Sequence, residues 1–83
     1  MNKDNYNVQL VIKVLERIGF SRYDATERVV LFNHEELQKE VMIDIDQPTL
    51  PSFIIERKVC DACIREEFFD SLYDAEVNSA QNP

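Results

Sequence analysis

One histidine stands in the chain, and it is the side chain best suited to acid–base chemistry near neutral pH. His34 lies between Asn33 and Glu35-Glu36 in the stretch TERVVLFNHEELQKEVMIDID, residues 26–46, which has the pattern of a β-hairpin. An imidazole can act as a general base towards a hydroxyl group, and a reaction at a phosphate also needs a group that holds the phosphate. The acidic neighbours of His34 would repel a phosphate. The sequence therefore predicts a solvated loop histidine, with catalysis by His34 as the alternative.

The two cysteines, Cys60 and Cys63, have the CxxC spacing of many zinc sites and redox centres. A structural zinc ion takes four ligands, and one Cys pair with one His supplies too few within a single chain. A redox pair belongs at the start of a helix, whereas this pair falls inside a predicted helix beside Asp61, whose charge disfavours a thiolate. We predict small core cysteines, reduced, with no metal ion or other cofactor; zinc shared across a homodimer is the alternative.

Asp44 and Asp46 share one face of a predicted strand and have the chemistry to hold a metal ion or exchange protons. No third ligand accompanies them in the sequence, so we predict two solvated carboxylates. The chain also lacks a glycine-rich phosphate loop and a Ser/His/Asp arrangement. These observations favour a non-enzymatic function.

Carboxylates and aromatic side chains are mixed in Glu66-Glu67-Phe68-Phe69-Asp70, with Tyr73 following. We place Phe68 on the core side of a helix and predict that Phe69 and Tyr73 are exposed. Exposed aromatic rings beside carboxylates can anchor a protein partner. The predicted partner-binding residues are Glu66, Glu67, Phe69, Asp70 and Tyr73; the alternative is a helix that uses both faces to cover a small core.

The hydrophobic pattern predicts the elements that position these residues. Apolar residues at helical spacing indicate a first helix over residues 7–18, capped by Asn5 or Asn7 and ended by Gly19. Three strands follow, at about residues 20–23, 29–32 and 41–46, with residues 33–39 as the hairpin loop. A helix over HEELQKEVM is the rival interpretation. Pro51 then opens a second helix that extends to about Tyr73. Its predicted buried side consists of Cys60, Ile64, Phe68 and Leu72, with Ile55, Val59 and Cys63 beside them.

The resulting order predicts a two-layer α+β domain of the form α-β-β-β-α, in which two helices cover one face of a small antiparallel sheet. We expect a single domain over residues 1–74 and a flexible C-terminal tail over residues 75–83, where apolar periodicity is absent.

Several segments resemble the HicA family, small toxin ribonucleases with a double-stranded-RNA-binding-like α-β-β-β-α fold. The similarity covers roughly residues 8–64 and includes IGF at the end of the first helix, VLFNH, EVMID and PTLPSFI. The last segment keeps Thr49, Leu50 and Ser52 of the family's Gly-Thr-Leu-Arg-Ser pattern. The resemblance implies this fold, and a ribonuclease activity that would need a displaced catalytic residue, His34.

The chain departs from that family at the catalytic run. The family's Gly-Ser-His falls on Glu27-Arg28-Val29, so both the glycine and the histidine are missing, and Pro48 and Pro51 replace the family's Gly and Arg around Thr-Leu. The family is basic, whereas this chain has a net charge of −7. The departures favour a HicA-like domain without catalysis, acting as an antitoxin, an inhibitor or a nucleic-acid mimic.

The charge distribution indicates the kind of partner. Residues 59–83 carry one basic and six acidic groups, and only Arg17, Arg22 and Arg28 form a local basic group that could attract RNA. Nucleic acid is therefore a disfavoured partner, and a protein with a basic surface is favoured. No segment has the length of a membrane span or the plan of a signal peptide, so we predict a cytoplasmic protein. At 83 residues the core is small, which leaves a homodimer open.

Overall fold

The computed structural model describes residues 1–81, which form five strands and three helices. In chain order they are β1 (Asn5–Asn7), α1 (Val8–Ile18), β2 (Ser21–Ala25), β3 (Val29–His34), β4 (Lys39–Asp44), β5 (Thr49–Pro51), α2 (Ser52–Asp61) and α3 (Glu66–Gln81). The α+β class and the helix–three-strand–helix order are confirmed. Two short strands are additional, and the predicted second helix is two helices.

Both ends of α1 have the predicted capping residues. The Asn7 side chain accepts a hydrogen bond from the backbone N–H of Leu10 at 3.1 Å, which satisfies one free donor at the helix start. At the other end Gly19 adopts a left-handed backbone with φ of 116°, and the N–H of Phe20 donates to the carbonyl of Leu15 at 3.0 Å. This reversal turns Phe20 back into the core, where it is 3 % exposed.

The central sheet has the strand order β2-β3-β4 and is antiparallel throughout. Pairing of β3 with β4 extends from Val29 opposite Asp44 to His34 opposite Lys39, and residues 35–38 form the connecting turn. The hairpin prediction is therefore confirmed, and the rival helix over HEELQKEVM is wrong. One face of the sheet is buried with the helices around a common core, to which the strands contribute Val30, Phe32, Val41 and Ile43.

Both outer strands of this sheet are protected against pairing with another chain. Every residue of β2 is exposed, and its register shifts between Arg22 and Asp24, as at a β-bulge. On the opposite edge, the ammonium group of Lys58 in α2 donates to the backbone carbonyl of Met42 in β4. The bulge and the lysine each interrupt an edge that would otherwise offer a regular row of backbone groups.

A second, two-stranded sheet joins β1 to β5. Tyr6 lies opposite Leu50, and both side chains are buried. Flanking hydrogen bonds of 3.0 Å from Val8 N–H to the Pro48 carbonyl and 2.9 Å from Ser52 N–H to the Asp4 carbonyl extend the contact. Strands of three residues are too short to show a two-residue period, which is why the hydrophobic pattern did not predict them.

The predicted continuous helix over residues 51–73 is wrong, because the chain breaks at residues 62–65. Cys63 adopts a left-handed backbone with φ of 60°, and the N–H of Ile64 donates to the carbonyl of Val59 at 3.0 Å. The break changes the helical phase, so the predicted buried side is only partly correct. Ile64 and Leu72 pack partly buried against the core as predicted, whereas Cys60 and Phe68 do not. The core residues of α2, the turn and α3 are Ile55, Val59, Ala62, Phe69 and Tyr73, whereas Cys60, Cys63 and Phe68 are exposed.

Residues 75–81, part of the segment predicted to be a flexible tail, continue α3. Val77 packs partly buried against the core, and the Arg17 guanidinium at the end of α1 meets the Glu76 carboxylate at 3.2 Å. The flexibility of this segment stays a prediction, and residues 82–83 lie outside the described part of the chain.

Candidate functional site

Both ring nitrogens of His34 are engaged by the backbone. Nδ1 accepts a hydrogen bond from the N–H of Leu37 at 3.1 Å, so the neutral ring carries its proton on Nε2, which donates to the carbonyl of Ile18 at 3.2 Å. The ring also packs edge-on against Phe20, with centroids 5.1 Å apart. His34 is thus half-buried and bridges the hairpin turn to the end of α1, unlike the freely solvated loop residue that we predicted.

A shallow, open concavity adjoins His34 and is lined also by Ser21, Asn33, Glu35 and Glu36. Neither ring nitrogen has a free position from which to accept a substrate proton, because the backbone occupies both. The carboxylates at the rim disfavour a phosphate. The arrangement fits a structural role for His34 better than the catalytic alternative.

The three arginines of the predicted basic group lie on separate elements. Arg17 ends α1 and is paired with Glu76, Arg22 in β2 lies over the Phe32 ring at 5.9 Å from its centroid, and Arg28 is exposed in the β2–β3 turn. Part of their charge is therefore committed within the chain. This placement gives little support to a phosphate-binding surface.

The predicted exposure of Phe69 and Tyr73 is wrong. Phe69 is 0 % and Tyr73 4 % exposed, and both rings pack edge-on against Tyr6, with centroid separations of 6.2 Å and 4.7 Å. The Tyr73 hydroxyl accepts a hydrogen bond from the N–H of Asn7 at 2.8 Å. Neither side chain can anchor a partner in the folded protein, because the break before α3 turns both rings inward.

Asp70, another of the predicted contact residues on this helix, is also largely removed from solvent. Its carboxylate accepts a hydrogen bond from the Tyr6 hydroxyl at 2.5 Å and a longer one from the N–H of Asn2 at 3.4 Å. Burial, and then the hydrogen bond and negative charge of Asp70, raise the pKa of the Tyr6 hydroxyl well above its usual range. Asp70 therefore holds the N-terminal strand to α3 and is not free to meet a partner.

Cys60 and Cys63 are both exposed free thiols, so the prediction of core cysteines is wrong. Within residues 1–81, no group of three or more His, Cys, Asp or Glu side chains is arranged to hold a metal ion. Asp44 is half-buried and Asp46 exposed, each outside any such group.

Glu66 and Glu67 are on the surface, and there they join other carboxylates. Glu66 lines two shallow concavities, one formed with α2 and one formed with the N-terminal segment. The first contains the ring of Phe53, which is 67 % exposed. We call this region the acidic α2–α3 surface. Its acidic and aromatic members are Phe53, Glu56, Asp61, Glu66, Glu67 and Asp74, and Arg57 lines the same concavity as Phe53.

The acidic α2–α3 surface retains uncompensated charge. The Lys3 ammonium neutralises Asp74 at 2.5 Å, and the amino group of Met1 lies 3.8 Å from Glu66. Among the described residues, no cation lies within ion-pairing distance of the Glu56, Asp61 or Glu67 carboxylate. The five carboxylates outnumber Arg57, Lys3 and the amino group of Met1, so the region has a net negative charge, with an aromatic ring at one side.

Sequence reasoning missed Phe53, Glu56 and Asp61. The spacing of the apolar residues in α2 could have shown that these residues are on the surface. Ile55 and Val59 are four residues apart and mark the buried side of the helix. Phe53, Glu56 and Cys60 fall on the other side of the same helix. A single helix over residues 51–73 would have one buried side along its whole length, whereas α2 and α3 have different ones because the chain breaks between them.

Comparison with known proteins gives no assignment, because no family model and no curated protein matches the chain. Membrane crossing was tested on the helices of residues 1–81, and none of them combines the length and the apolar character that a span requires.

Proposed function

We propose that this protein is a non-catalytic, acidic binding protein that engages the basic surface of a protein partner in the cytoplasm. The observation that carries the proposal is the acidic α2–α3 surface, where Glu56, Asp61 and Glu67 have no internal counter-ion among the described residues. Such a field accelerates the approach of a basic partner and disfavours nucleic acid. An antitoxin, an inhibitor or a nucleic-acid mimic would act in this way.

Phe53 supplies the apolar contact that the predicted anchors, Phe69 and Tyr73, cannot supply. Its ring is 67 % exposed beside Glu56 and Asp61, a placement that costs solvation without serving the core. Aromatic residues that become buried at the centre of an interface often dominate its binding energy. In the proposed complex, the carboxylates steer the partner and Phe53 enters an apolar depression on it.

The test uses two matched pairs of neighbouring glutamates. A labelled arginine-rich peptide is titrated with the wild-type protein, with Glu66→Gln/Glu67→Gln, and with Glu35→Gln/Glu36→Gln, which removes the same charge from the hairpin turn. We expect the α3 variant to weaken binding by roughly tenfold and the hairpin variant to have a smaller effect. Equal losses in the two variants would mean that only net charge matters, and would contradict the proposed surface.

A protein partner is then sought by affinity capture with the same variants and with Phe53→Ser. Met42→Ser is the control for Phe53, because Met42 is also a large exposed apolar residue, 47 % exposed, but lies in β4. A partner that is lost with Phe53→Ser and retained with Met42→Ser supports the proposal. The reverse pattern would place the interface on the sheet.

The alternative of a HicA-like ribonuclease with His34 as catalyst has a direct test. Labelled single- and double-stranded RNA are titrated at low salt, and the products are separated on a gel. Cleavage that is lost in His34→Gln would establish that alternative. Binding without cleavage that is lost when Arg22 and Arg28 are replaced would instead make RNA the partner.

A homodimer remains a prediction. The outer face of the central sheet offers it a surface, because Tyr23 and Met42 are each about half exposed and Leu31 lies between their strands. Sedimentation velocity over a concentration series separates a dimer from a monomer. A change in the sedimentation coefficient that Met42→Ser abolishes would assign the dimer contact to this face.

A further inference from the structure

The turn between α2 and α3 brings two exposed thiols into a defined relation. The backbone N–H of Cys63 donates to the carbonyl of Cys60 at 3.0 Å, and the N–H of Ala62 donates to the carbonyl of Lys58 at the same distance. A turn closed in this way holds the α-carbons of its first and fourth residues within about 7 Å of each other. Disulfides join residues whose α-carbons are about 4.4–6.8 Å apart. The backbone therefore already meets the main distance requirement.

Access to the two sulfur atoms is open. Cys60 and Cys63 are both exposed, so neither has to leave the core to react. The adjacent Ala62 is 0 % exposed and fixes the turn to the core between them. A reagent can reach the thiols from solvent while the turn keeps its shape.

Cys63 also occupies a backbone region that few residues with a side chain adopt. Its φ is 60°, at a helix C-terminus where glycine or asparagine is favoured. Departures of this kind gather at functional positions, because the surrounding structure must offset their cost. Here the left-handed residue is one of the chain's two cysteines.

We propose that Cys60 and Cys63 form a reversible intrachain disulfide by exchange with a low-molecular-weight disulfide. One protein thiolate attacks the small disulfide, forms a mixed disulfide and releases one small thiolate. The second protein thiolate then attacks the protein sulfur of the mixed disulfide and releases the other. The protein loses two electrons and two protons, and the small disulfide is reduced to two thiols.

The position of the pair distinguishes this site from a catalytic redox centre. The thiols lie at the C-terminal end of α2, whereas the reactive thiol of a catalytic Cys-X-X-Cys centre lies at the start of a helix. The pair therefore suits a reversible modification that closes the α2–α3 turn.

The experiment measures the equilibrium with glutathione. Reduced full-length protein is equilibrated in buffers of set reduced-to-oxidised glutathione ratio, quenched by alkylation and analysed by mass spectrometry, both folded and in urea. We expect an internal disulfide, with an effective thiol concentration at least about tenfold higher in the folded protein than in urea. By linkage, oxidation then raises the urea midpoint of unfolding. Cys63→Ser is the control, since it can form only the mixed disulfide.

Three results would overturn the proposal. An effective concentration in the folded protein equal to or below that in urea would mean that the turn does not favour the bond. Mixed disulfides or linked pairs of chains as the main products would mean that the two sulfurs do not meet. Protection of the reduced thiols by zinc ions in a two-chain complex would assign the pair to metal binding.

Discussion

Single residues in this protein join elements that are far apart in the chain, and His34 is the clearest case. Its ring links the hairpin turn at Leu37 to the last carbonyl of α1 at Ile18. A methyl group on Gly19 would lie 2.8 Å from His34 Nε2, so this glycine is required both by its backbone and by the ring above it. The only histidine and the only glycine of the chain therefore form one structural unit.

This unit can be dissected by a double-mutant cycle. We expect Gly19→Ala to lower the free energy of unfolding by about 2–4 kcal/mol, because it combines left-handed strain with the contact to His34. In the His34→Ala background the cost should fall to about 1–2 kcal/mol, since only the strain remains. Urea unfolding of the four proteins measures the coupling. Additive effects would mean that the ring does not oppose the added methyl group.

The buried hydroxyl of Tyr6 makes the free energy of unfolding depend on pH in the alkaline range. The usual pKa of tyrosine is 10.0, and that of folded Tyr6 is higher. Below pH 10 the hydroxyl is protonated in both states, so its contribution is fully present there. Above that pH the unfolded chain releases the proton and the folded protein does not, so stability is lost by up to about 1.4 kcal/mol per pH unit.

Tyr6→Phe tests this assignment by removing the titrating group. At neutral pH the variant should lose roughly 1.5–3 kcal/mol, because Asp70 keeps only the longer contact with Asn2. Between pH 10 and 11.5 its unfolding free energy should fall less steeply than that of the wild type. Parallel pH profiles measured by urea unfolding would exclude Tyr6 as the group responsible.

At the scale of elements, the break between α2 and α3 decides which aromatic ring is structural. Phe69 is 0 % exposed and Phe68 51 % exposed, although the two are neighbours. Phe69→Ala should lower the free energy of unfolding by about 3–5 kcal/mol, as expected for a core ring. Phe68→Ala should change it by no more than about 0.5–1 kcal/mol. A reversed order in thermal or urea unfolding would show that α3 has the phase of the continuous helix.

The elements also show what a sequence can predict. α1 was predicted with both of its ends because Asn7, the apolar stripe and Gly19 all indicate the same boundaries. The β3–β4 hairpin followed from a change of period. The α2–α3 break was missed because its residue at positive φ is Cys63, where a glycine would have signalled it. The burial of Phe69 and Tyr73 and the exposure of both cysteines depend on that one position.

The members of the candidate site could be predicted only in part, because the α2–α3 break was not predicted. Glu66 and Glu67 lie on the acidic α2–α3 surface, as their type suggested, because charged side chains stay in water whatever the helix phase. Phe53 could not be chosen as the exposed aromatic residue without knowing which sides of α2 and α3 are buried. Asp70 could not be recognised as internal, because its partner Tyr6 is 64 positions away in the chain.

The protein as a whole carries a large net negative charge for its size, and its core is small. The net charge is −7 on 83 residues, and ion pairs such as Lys3–Asp74 lie at the surface, where each contributes little. We expect repulsion between carboxylates to dominate, so added salt should stabilise the fold. The melting temperature should rise by a few degrees from 10 mM to about 0.15 M NaCl, where the screening length is about 8 Å.

Calorimetry at several salt concentrations checks this expectation. The Glu66→Gln/Glu67→Gln variant should show a smaller rise, because fewer like charges remain to be screened. A melting temperature that falls with salt would mean that the surface ion pairs outweigh the repulsion.

The pairing of β1 with β5, and of Tyr6 with α3, has a consequence for protein synthesis. Tyr6 is translated before its partners Leu50, Phe69 and Asp70, which follow more than forty residues later. A nascent chain that stops before α3 leaves Tyr6 and the apolar side of α1 uncovered. We therefore expect the domain to complete its folding only after α3 has left the ribosome, and the growing chain to bind chaperones that recognise exposed apolar segments until then.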